Sequence, residues 1–229
     1  MPAAFVAQRG GATGGYLSFP PYGCGCSGVV TVGNILYVVA AGNNNAATGG
    51  SCTDNLGNTY TVLGRRIQNN SQQLVYAAPV TVGGTITSVS VNQGSGLSIA
   101  PTIGVAEFSG VDTFQLYEAA DDVGSPGTGS TITVTTSAAG LQLHIVGIGS
   151  GGTQMTGYTQ PSGYTNGFIA GDGSGQFAKY YAVLNYLIGP TSGTLTDSWT
   201  GSEDWTVSHI YYKAAAPMAH LLAILGVGT

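Results

Sequence analysis

The sequence predicts an all-β protein, a jelly-roll-like antiparallel β-sandwich built from two internally similar halves. Short segments of alternating apolar and polar residues recur along the chain, and Gly-rich turns separate them. The order of these segments in residues 29–113 is repeated in residues 131–213. Before residue 214, no segment has the period of a long helix.

The repeat can be followed through matched residues. Tyr60 corresponds to Tyr164 and Tyr76 to Tyr181, at offsets of 104 and 105 residues. These offsets are far longer than a solenoid repeat, so the two copies are expected to close into one domain. Two copies of a roughly four-strand unit indicate a double Greek key, which is the plan of a jelly roll.

Period-2 alternation and turn residues define the individual strands. The predicted strands include the apolar run Ile-Leu-Tyr-Val-Val-Ala-Ala, and Gly83-Gly84 and the Gly-rich run from residue 171 mark turns. The predicted strands span residues 3–8, 35–41, 60–68, 73–78, 86–92, 101–109, 131–136, 141–148, 176–187, 193–199 and 206–212.

Three regions follow from these elements. Residues 1–28 are predicted to contain an N-terminal strand and a loop rich in Gly, Pro and Cys. Residues 29–213 form the sandwich, in which residues 121–130 are predicted as an exposed linker between the halves. Residues 214–229 form an apolar tail.

The composition argues against several classes of partner. Charged residues make up 7% of the chain, whereas roughly 25% is usual in soluble domains. Ten acidic residues face five basic ones, so the clustered Lys and Arg that bind nucleic acid or anionic lipid are missing. We therefore expect neither direct nucleic-acid binding nor membrane binding. A neutral surface of Thr, Ser, Asn and Gly suits a fixed particle surface or an extracellular one.

The N-terminal residues predict no secretory signal, because no basic region is followed by an apolar run of useful length. The longest apolar stretches are also far shorter than the about 20 residues of a membrane span. We expect a protein made in soluble form in the cytoplasm. It would act there, or leave the cell by lysis or within an assembled particle.

The three cysteines have three alternative interpretations. Cys24 and Cys26 lie in the first loop and Cys52 in another, and a disulfide from Cys52 to either of them is predicted if both loops lie at one end of the sandwich. A metal site would need a fourth ligand, and none of the His residues stands at a recognisable spacing. The third alternative is that they are small buried thiols. We predict no metal and no cofactor.

No catalytic group of residues emerges, so the sequence predicts no enzyme. Glu107 lies on a predicted strand, and Glu203 with Asp204 lies in a late loop, so a glycosidase pair is an open alternative. The three His and many Ser do not form the strand-turn-helix elbow of a serine hydrolase. The segment 54–58 (Asp-Asn-Leu-Gly-Asn) resembles a calcium loop, but a tight turn held by Asx side chains is the favoured interpretation.

The aromatic residues suggest a second function. Exposed Tyr and Trp rings stack on sugars, whereas buried ones fill the core of a sandwich. The candidates are Tyr16, Phe19, Tyr22, Tyr158, Tyr164, Trp199 and Trp205. A carbohydrate-binding module of a bacterial or viral surface is therefore the alternative function, and a cell-surface glycan its partner.

Four segments together carry a family resemblance. They are Val-Thr-Val-Gly-Asn-Ile-Leu-Tyr-Val-Val (from Val29), Thr-Asp-Asn-Leu-Gly-Asn-Thr-Tyr-Thr (from Thr53), Leu-Val-Tyr-Ala-Ala-Pro (from Leu74) and Val-Ala-Glu-Phe-Ser-Gly-Val-Asp (from Val105). This succession resembles a β-sandwich module of tailed bacteriophage structural proteins, which is also found in bacterial surface proteins. The resemblance covers residues 29–213, although the second copy has no acid at the position of Glu107.

The resemblance implies a structural component of the virion surface, either a head decoration protein or part of a tail fibre or spike. Its partners would be copies of itself and other virion proteins. In the tail, the apolar stripe of a short helix is predicted to dock onto a neighbour, while a strap over the chain's own core is the alternative. The docking residues would be Met218, Leu221, Leu222, Ile224 and Leu225.

Overall fold

The computed structural model describes residues 2–12, 22–42, 50–68, 71–92, 102–136, 140–149, 155–171 and 180–214. These residues contain strands and no helix, so the predicted all-β sandwich is confirmed. The strands are β1 (Ala4–Ala12), β2 (Tyr22–Gly25), β3 (Val29–Val30), β4 (Ile35–Gly42), β5 (Ser51–Asp54), β6 (Thr61–Gln68), β7 (Ser71–Pro79), β8 (Gly84–Thr85), β9 (Ser88–Asn92), β10 (Thr102–Ser109), β11 (Val111–Thr136), β12 (Gly140–Gly149), β13 (Thr156–Thr159), β14 (Thr165–Ala170), β15 (Tyr180–Ile188) and β16 (Thr191–Ala214).

Two inner sheets have the same strand order. The first half forms the sheet β1-β10-β4-β7-β6, and the second half forms β11-β16-β12-β15-β14. An outer sheet, β2-β9-β5, covers the first of them. In the second half, the ends of β11 and β16 and the strand β13 take the corresponding outer position. Each half is therefore a sandwich of its own, and the repeat of the sequence is also a repeat of topology.

The described residues form four layers with three apolar cores between them. In β4, alternate residues point to opposite faces. Tyr37 and Val39 face the second half, whereas Leu36 and Val38 face the outer sheet of their own half. This explains why every residue of β4 is buried and why its sequence is apolar throughout. Strand β12 has the same role in the second half, where Leu143 faces the first half.

Strands β11 and β16 form one long antiparallel ribbon that passes from the inner layer to the outer layer. The register shifts twice between Gly124 and Gly129, and Gly201 opposite them has a φ of 110°. Glycine tolerates such bulges and left-handed conformations, which bend a strand. Residues 121–130 were expected to be an exposed linker, but they are part of a bulged strand. The glycines that indicated a loop in the sequence instead allow this strand to bend.

The two inner sheets pack face to face with approximate twofold symmetry. Strand β1 lies over β14, and its counterpart β11 lies over β6, the counterpart of β14. Strand β4 lies over its own counterpart, β12. The same contact is thus made twice, as in the self-complementary interface of a twofold dimer, although both copies belong to one chain.

The halves divide at Gly110, whose φ of 66° marks the turn from β10 into β11. Residues 4–12 supply an edge strand of the first inner sheet, and residues 22–25 supply an edge strand of its outer sheet. The N-terminal region, which the sequence analysis set apart from the sandwich, therefore lies within it. The first half begins earlier than residue 29 for that reason, and the second begins with β11 rather than at residue 131.

Candidate functional site

The candidate site is a groove where β1 meets the end of β2. The groove has a volume of about 330 Å³ and is lined by Gln8, Arg9, Gly10, Gly11, Gly25, Cys26 and Ser27. The backbone holds it together, because Gly10 and Cys26 form an isolated bridge and the Ser27 N–H donates to the Arg9 carbonyl at 2.8 Å. Its side-chain polar groups are one guanidinium, one amide, one thiol and one hydroxyl.

The thiol of the groove belongs to a pair. Cys26 is partly exposed, and Cys24 lies behind it in the outer core of the first half. A hydrogen bond between the two thiols lowers the pKa of Cys24 and raises the pKa of Cys26, which burial raises further. Cys52 pairs with Val91 on the opposite side of β9, and burial raises its pKa as well.

All three cysteines are free thiols. The sequence predicts Cys52 beside Cys24 or Cys26, whereas the two thiols that the structure brings to one point, at Gly10, are those of Cys24 and Cys26. Strand β9 lies between Cys24 and Cys52, because it pairs with β2 on one side and with β5 on the other. The structure thus gives no support to a bridge from Cys52, and among the described residues no group of His, Cys, Asp and Glu could hold a metal ion.

Glu107 forms a buried ion pair next to this groove. Its carboxylate accepts from Arg9 Nε at 2.7 Å and also binds Arg9 Nη2. The other carboxylate oxygen accepts from the Thr31 N–H at 3.0 Å and from Asn34 Nδ2 at 2.6 Å. The Glu107 side chain is fully buried, so it is a structural acceptor rather than half of a glycosidase pair. Glu203 and Asp204 are buried in the other half, on β16.

The segment 54–58 forms the predicted tight turn. Asp54 Oδ1 accepts from the backbone N–H groups of residues 56, 57 and 58, at 2.7–3.1 Å. Asp54 Oδ2 accepts from Asn58 Nδ2 at 2.9 Å and from the Tyr60 hydroxyl at 3.0 Å. Every one of these contacts is internal to the protein, so the carboxylate organises the chain instead of a calcium ion.

A second carboxylate, Asp197, lies at the centre of a buried network in the second half. Its Oδ2 accepts from Ser130 Oγ at 2.8 Å and lies 2.5 Å from His144 Nε2. Its Oδ1 accepts from the Tyr158 hydroxyl, which in turn accepts from Asn185 Nδ2 at 2.7 Å. Burial and the Asp197 charge raise the pKa of Tyr158 well above its usual value.

This network contains Ser, His and Asp, but it is not a nucleophilic triad. A triad needs the imidazole between the hydroxyl and the carboxylate, whereas here Ser130 and His144 both contact the carboxylate. The contact between Asp197 and His144 was not predicted from the sequence. One signal was available, because Gln142 and His144 alternate with the apolar residues of β12 and so lie on one face.

His209 lies beside His144, with 6.4 Å between the ring centroids. Its Nε2 lies 3.0 Å from Gln142 Oε1. Burial, with the neighbouring His144 as a second cause, lowers the pKa of His209 to about 4. The Nδ1 atoms of both rings have no hydrogen-bond partner among the described residues. Both imidazoles thus serve as buried polar packing rather than as accessible acids or bases.

The aromatic side chains that the structure describes are core residues. Tyr22, Tyr164 and Trp199 are buried, and Tyr158 and Trp205 pack against the outer core of the second half. Outside residues 112–121, of whose side chains nothing is described, none of the aromatic side chains in the described ranges is highly exposed. Tyr16 and Phe19 lie outside the described residues, as do the predicted docking residues Met218, Leu221, Leu222, Ile224 and Leu225.

Two further findings concern the chain as a whole. The described residues include no helix long and apolar enough to cross a membrane. Comparisons with protein-family models, with curated proteins and with solved structures gave no match. The geometry of the molecule is therefore the basis for the functional proposals that follow.

Proposed function

We propose that the protein is a structural component of a bacteriophage particle, exposed on its surface as a head decoration or as part of a tail fibre or spike. It would act by associating with copies of itself and with other virion proteins. The observation that best supports this proposal is the arrangement of the sheet edges, together with the internal use of the polar groups.

Each side of the molecule has two sheet edges, one above the other. Strands β1 and β14 are stacked on one side, and β6 and β11 on the other. An edge strand offers backbone N–H and C=O groups to which a neighbouring chain can add a strand. Because the edge strands of the two inner sheets are stacked in this way, a neighbouring chain that adds strands at one side of the molecule would extend both inner sheets.

The side formed by β1 and β14, here called the apolar edge, is the better suited to association. Val6 on β1 and Ile169 on β14 are each 41% exposed, and β14 has no charged residue. Strand β6 on the opposite side carries Arg65 and Arg66. Charged residues on an edge strand prevent edge-to-edge pairing. The apolar edge lacks this protection along β14.

The buried polar groups support a structural role for the same chain. Glu107, Asp54 and Asp197 are each engaged by several donors of the protein itself. Such satisfied networks fix one conformation of the core, whereas an active site directs polar groups toward a substrate. The exposed chemistry that remains is neutral and rich in Thr, Ser and Gly, as expected for a stable particle surface.

Sedimentation velocity of the full chain over a range of concentrations tests the association. We expect the protein to self-associate and the variant Ile169→Lys to weaken that association strongly. Val82→Lys is the matched control, because Val82 is 46% exposed but lies between β7 and β8, on none of the four edge strands. A wild-type monomer at every concentration, or equal effects of both variants, would argue against the apolar edge.

Two further measurements address the particle and the alternative function. Antibodies against the chain should label intact phage particles from the source culture in electron micrographs, and particles without label would contradict the virion assignment. A glycan array tests the alternative. Binding of the monomer to defined glycans would favour a carbohydrate-binding module, for which the described aromatic side chains provide no exposed platform.

A further inference from the structure

The sulfur atoms of Cys24 and Cys26 converge on one glycine. A Cβ atom at Gly10 would lie 2.8 Å from Cys26 Sγ and 3.0 Å from Cys24 Sγ. Residues two apart in an extended chain project to the same side, which is why both thiols reach this point. Both thiols are unbridged; Cys24 Sγ donates to the Gly25 carbonyl at 3.4 Å, and Cys26 Sγ donates to the Cys24 carbonyl at 3.6 Å. A glycine at position 10 is required for the pair to exist in this form, because any larger residue would occupy the space of the sulfur atoms.

The two thiols differ in access. Cys26 lines the groove together with Gln8 and Arg9, whereas Cys24 is 1% exposed and lies behind it. A small molecule that enters the groove therefore meets Cys26 first. Cys24 is close enough to react with whatever becomes attached to Cys26. An accessible thiol backed by a second thiol is the arrangement of an attacking and a resolving cysteine.

Cys52 provides an internal comparison. It belongs to the same outer core, but it lies across β9 from Cys24 and does not line the groove. It is 8% exposed, so a reagent in solution has little access to it. The chain thus contains two thiols placed for exchange and one that is not.

We propose that Cys24 and Cys26 form an oxidisable dithiol that exchanges with small organic disulfides of the glutathione class at this groove. Cys26 first loses its proton to solvent, and because its pKa is raised this step is slow near neutral pH and faster in alkaline solution. Its thiolate attacks one sulfur of the small disulfide, forms a mixed disulfide and releases one small thiol. The Cys24 thiolate then attacks the Cys26 sulfur, releases the second small thiol and leaves the Cys24–Cys26 disulfide. Two electrons pass from the protein to the small disulfide, and the two cysteine protons end on the released thiols.

The resulting bond would be labile rather than structural. It would close a loop with only Gly25 between the cysteines, so it would remove little entropy from the unfolded chain. A disulfide that solvent can reach, as this one could through the groove at Cys26, has a higher reduction potential than a structural one. This modification site does not depend on the proposed role in a particle, since it uses neither the apolar edge nor a partner chain.

The test uses the folded full chain with oxidised glutathione as the probe. After the reaction, the chain is unfolded in the presence of the alkylating reagent, so that buried free thiols also react. Chymotrypsin then cleaves it after Tyr22, Leu36 and Tyr37. The peptide with Cys24 and Cys26 is then separate from the peptide with Cys52. We expect the alkylated thiols to fall from three to one, with Cys52 still alkylated. The first peptide should be lighter by two hydrogens than its reduced, unalkylated form.

Variants identify the order of attack. Cys24→Ser should retain a glutathione adduct on Cys26, which the wild-type chain resolves, and Cys52→Ser should behave as the wild type. Three alkylated thiols after the reaction, a bridge that includes Cys52, or a lasting adduct in the wild type would each overturn the proposal. If a variant does not fold, the masses of the wild-type peptides alone test the proposal.

Discussion

At the scale of single residues, some of the few charged side chains lie inside the protein. Glu107 and Asp197 are almost completely buried, although such side chains usually remain at the surface. Each is tolerated because several donors surround it. Without these donors, a buried charge would lower the stability of the folded protein by far more than the network raises it. Because some of the few carboxylates are hydrogen-bonded in the interior, fewer charged groups remain for the surface.

We predict that Glu107→Gln lowers the free energy of unfolding by about 3 kcal/mol. The amide oxygen can still accept from Thr31 and Asn34, but Arg9 loses its counter-charge while only 13% of its side chain is exposed. Urea denaturation measures the change. Asp122→Asn removes an exposed carboxylate and is the control, which should change stability little. Equal stability of Glu107→Gln and wild type would mean that the ion pair contributes nothing net.

A pH dependence follows from His209. Its pKa falls from the usual 6.5 to about 4 in the folded protein, mainly through burial. The unfolded chain therefore binds the proton more readily, so stability is highest above pH 6.5 and decreases as the pH falls toward 4. The loss should reach roughly 3 kcal/mol, and it levels off below the folded pKa.

Denaturant titrations across this pH range check the effect. In His209→Gln, whose amide can still contact Gln142, the decrease between pH 6.5 and 4 should become smaller. His220→Gln removes a histidine outside the buried pair and is the control. The assignment fails if the His209→Gln variant keeps the full wild-type slope.

At the scale of elements, turns are set by side chains rather than by loop length. Asp54 closes the turn after β5 and positions Tyr60 before β6. Tyr164 stands at the same place before β14, but in the second half it packs with the histidines of the core. The repeated Tyr positions are thus preserved in space, whereas the polar groups that hold them differ between the halves.

We predict that Asp54→Ala reduces the free energy of unfolding by about 2–3 kcal/mol, because three backbone donors and one hydroxyl lose a charged acceptor. Asp54→Asn keeps an oxygen at the position of Oδ1 and should cost about half as much. Thermal and urea unfolding of the two variants give the comparison. Similar losses in both would show that the negative charge, and not the geometry of the acceptor, stabilises the turn.

At the scale of the whole molecule, the interface between the halves has the character of a protein core. Its apolar layer includes Tyr37, Phe108 and Leu143 from the two inner sheets. Polar contacts cross it as well, because Gln73 Nε2 donates to the Ile145 carbonyl at 3.1 Å and Thr102 Oγ1 donates to the Tyr180 carbonyl at 2.8 Å. The halves are therefore expected to unfold together rather than as separate domains.

Gly104 offers a direct probe of this interface. A Cβ atom at this position would overlap the ring of Phe168 from the other half. Gly104→Ala should reduce stability by about 1–3 kcal/mol through overpacking. Adding Phe168→Leu should recover part of that loss, so the double variant is expected to be more stable than the sum of the single changes by at least about 0.5 kcal/mol.

The control for this pair is Gly64→Ala. A Cβ atom at Gly64 would meet Ser208 Oγ across the same interface at 3.9 Å, which is an ordinary contact. That variant should therefore lie close to the wild type. Strictly additive effects of Gly104→Ala and Phe168→Leu would show that these two residues do not restrict each other.

Local residue patterns were sufficient to predict the fold class, the duplication and most strands. Period-2 alternation identifies strands such as β4, β7 and β12 because burial on a sheet face is a local property of the residue pattern. The Asx turn at Asp54 was also predictable, since its donors lie within four residues along the chain. Function remained an expectation, carried by composition and by a resemblance.

How these elements combine depends on pairing and stacking between strands that are distant in the sequence. The glycines between residues 121 and 130 bend a strand rather than form a linker, because their strand partners lie about 75 residues away in β16. The same holds for Cys24, Cys26 and Gly10, and for Asp197 with His144. Residues distant in sequence meet only when sheets pair and stack, and no local pattern records which face of which strand they will share.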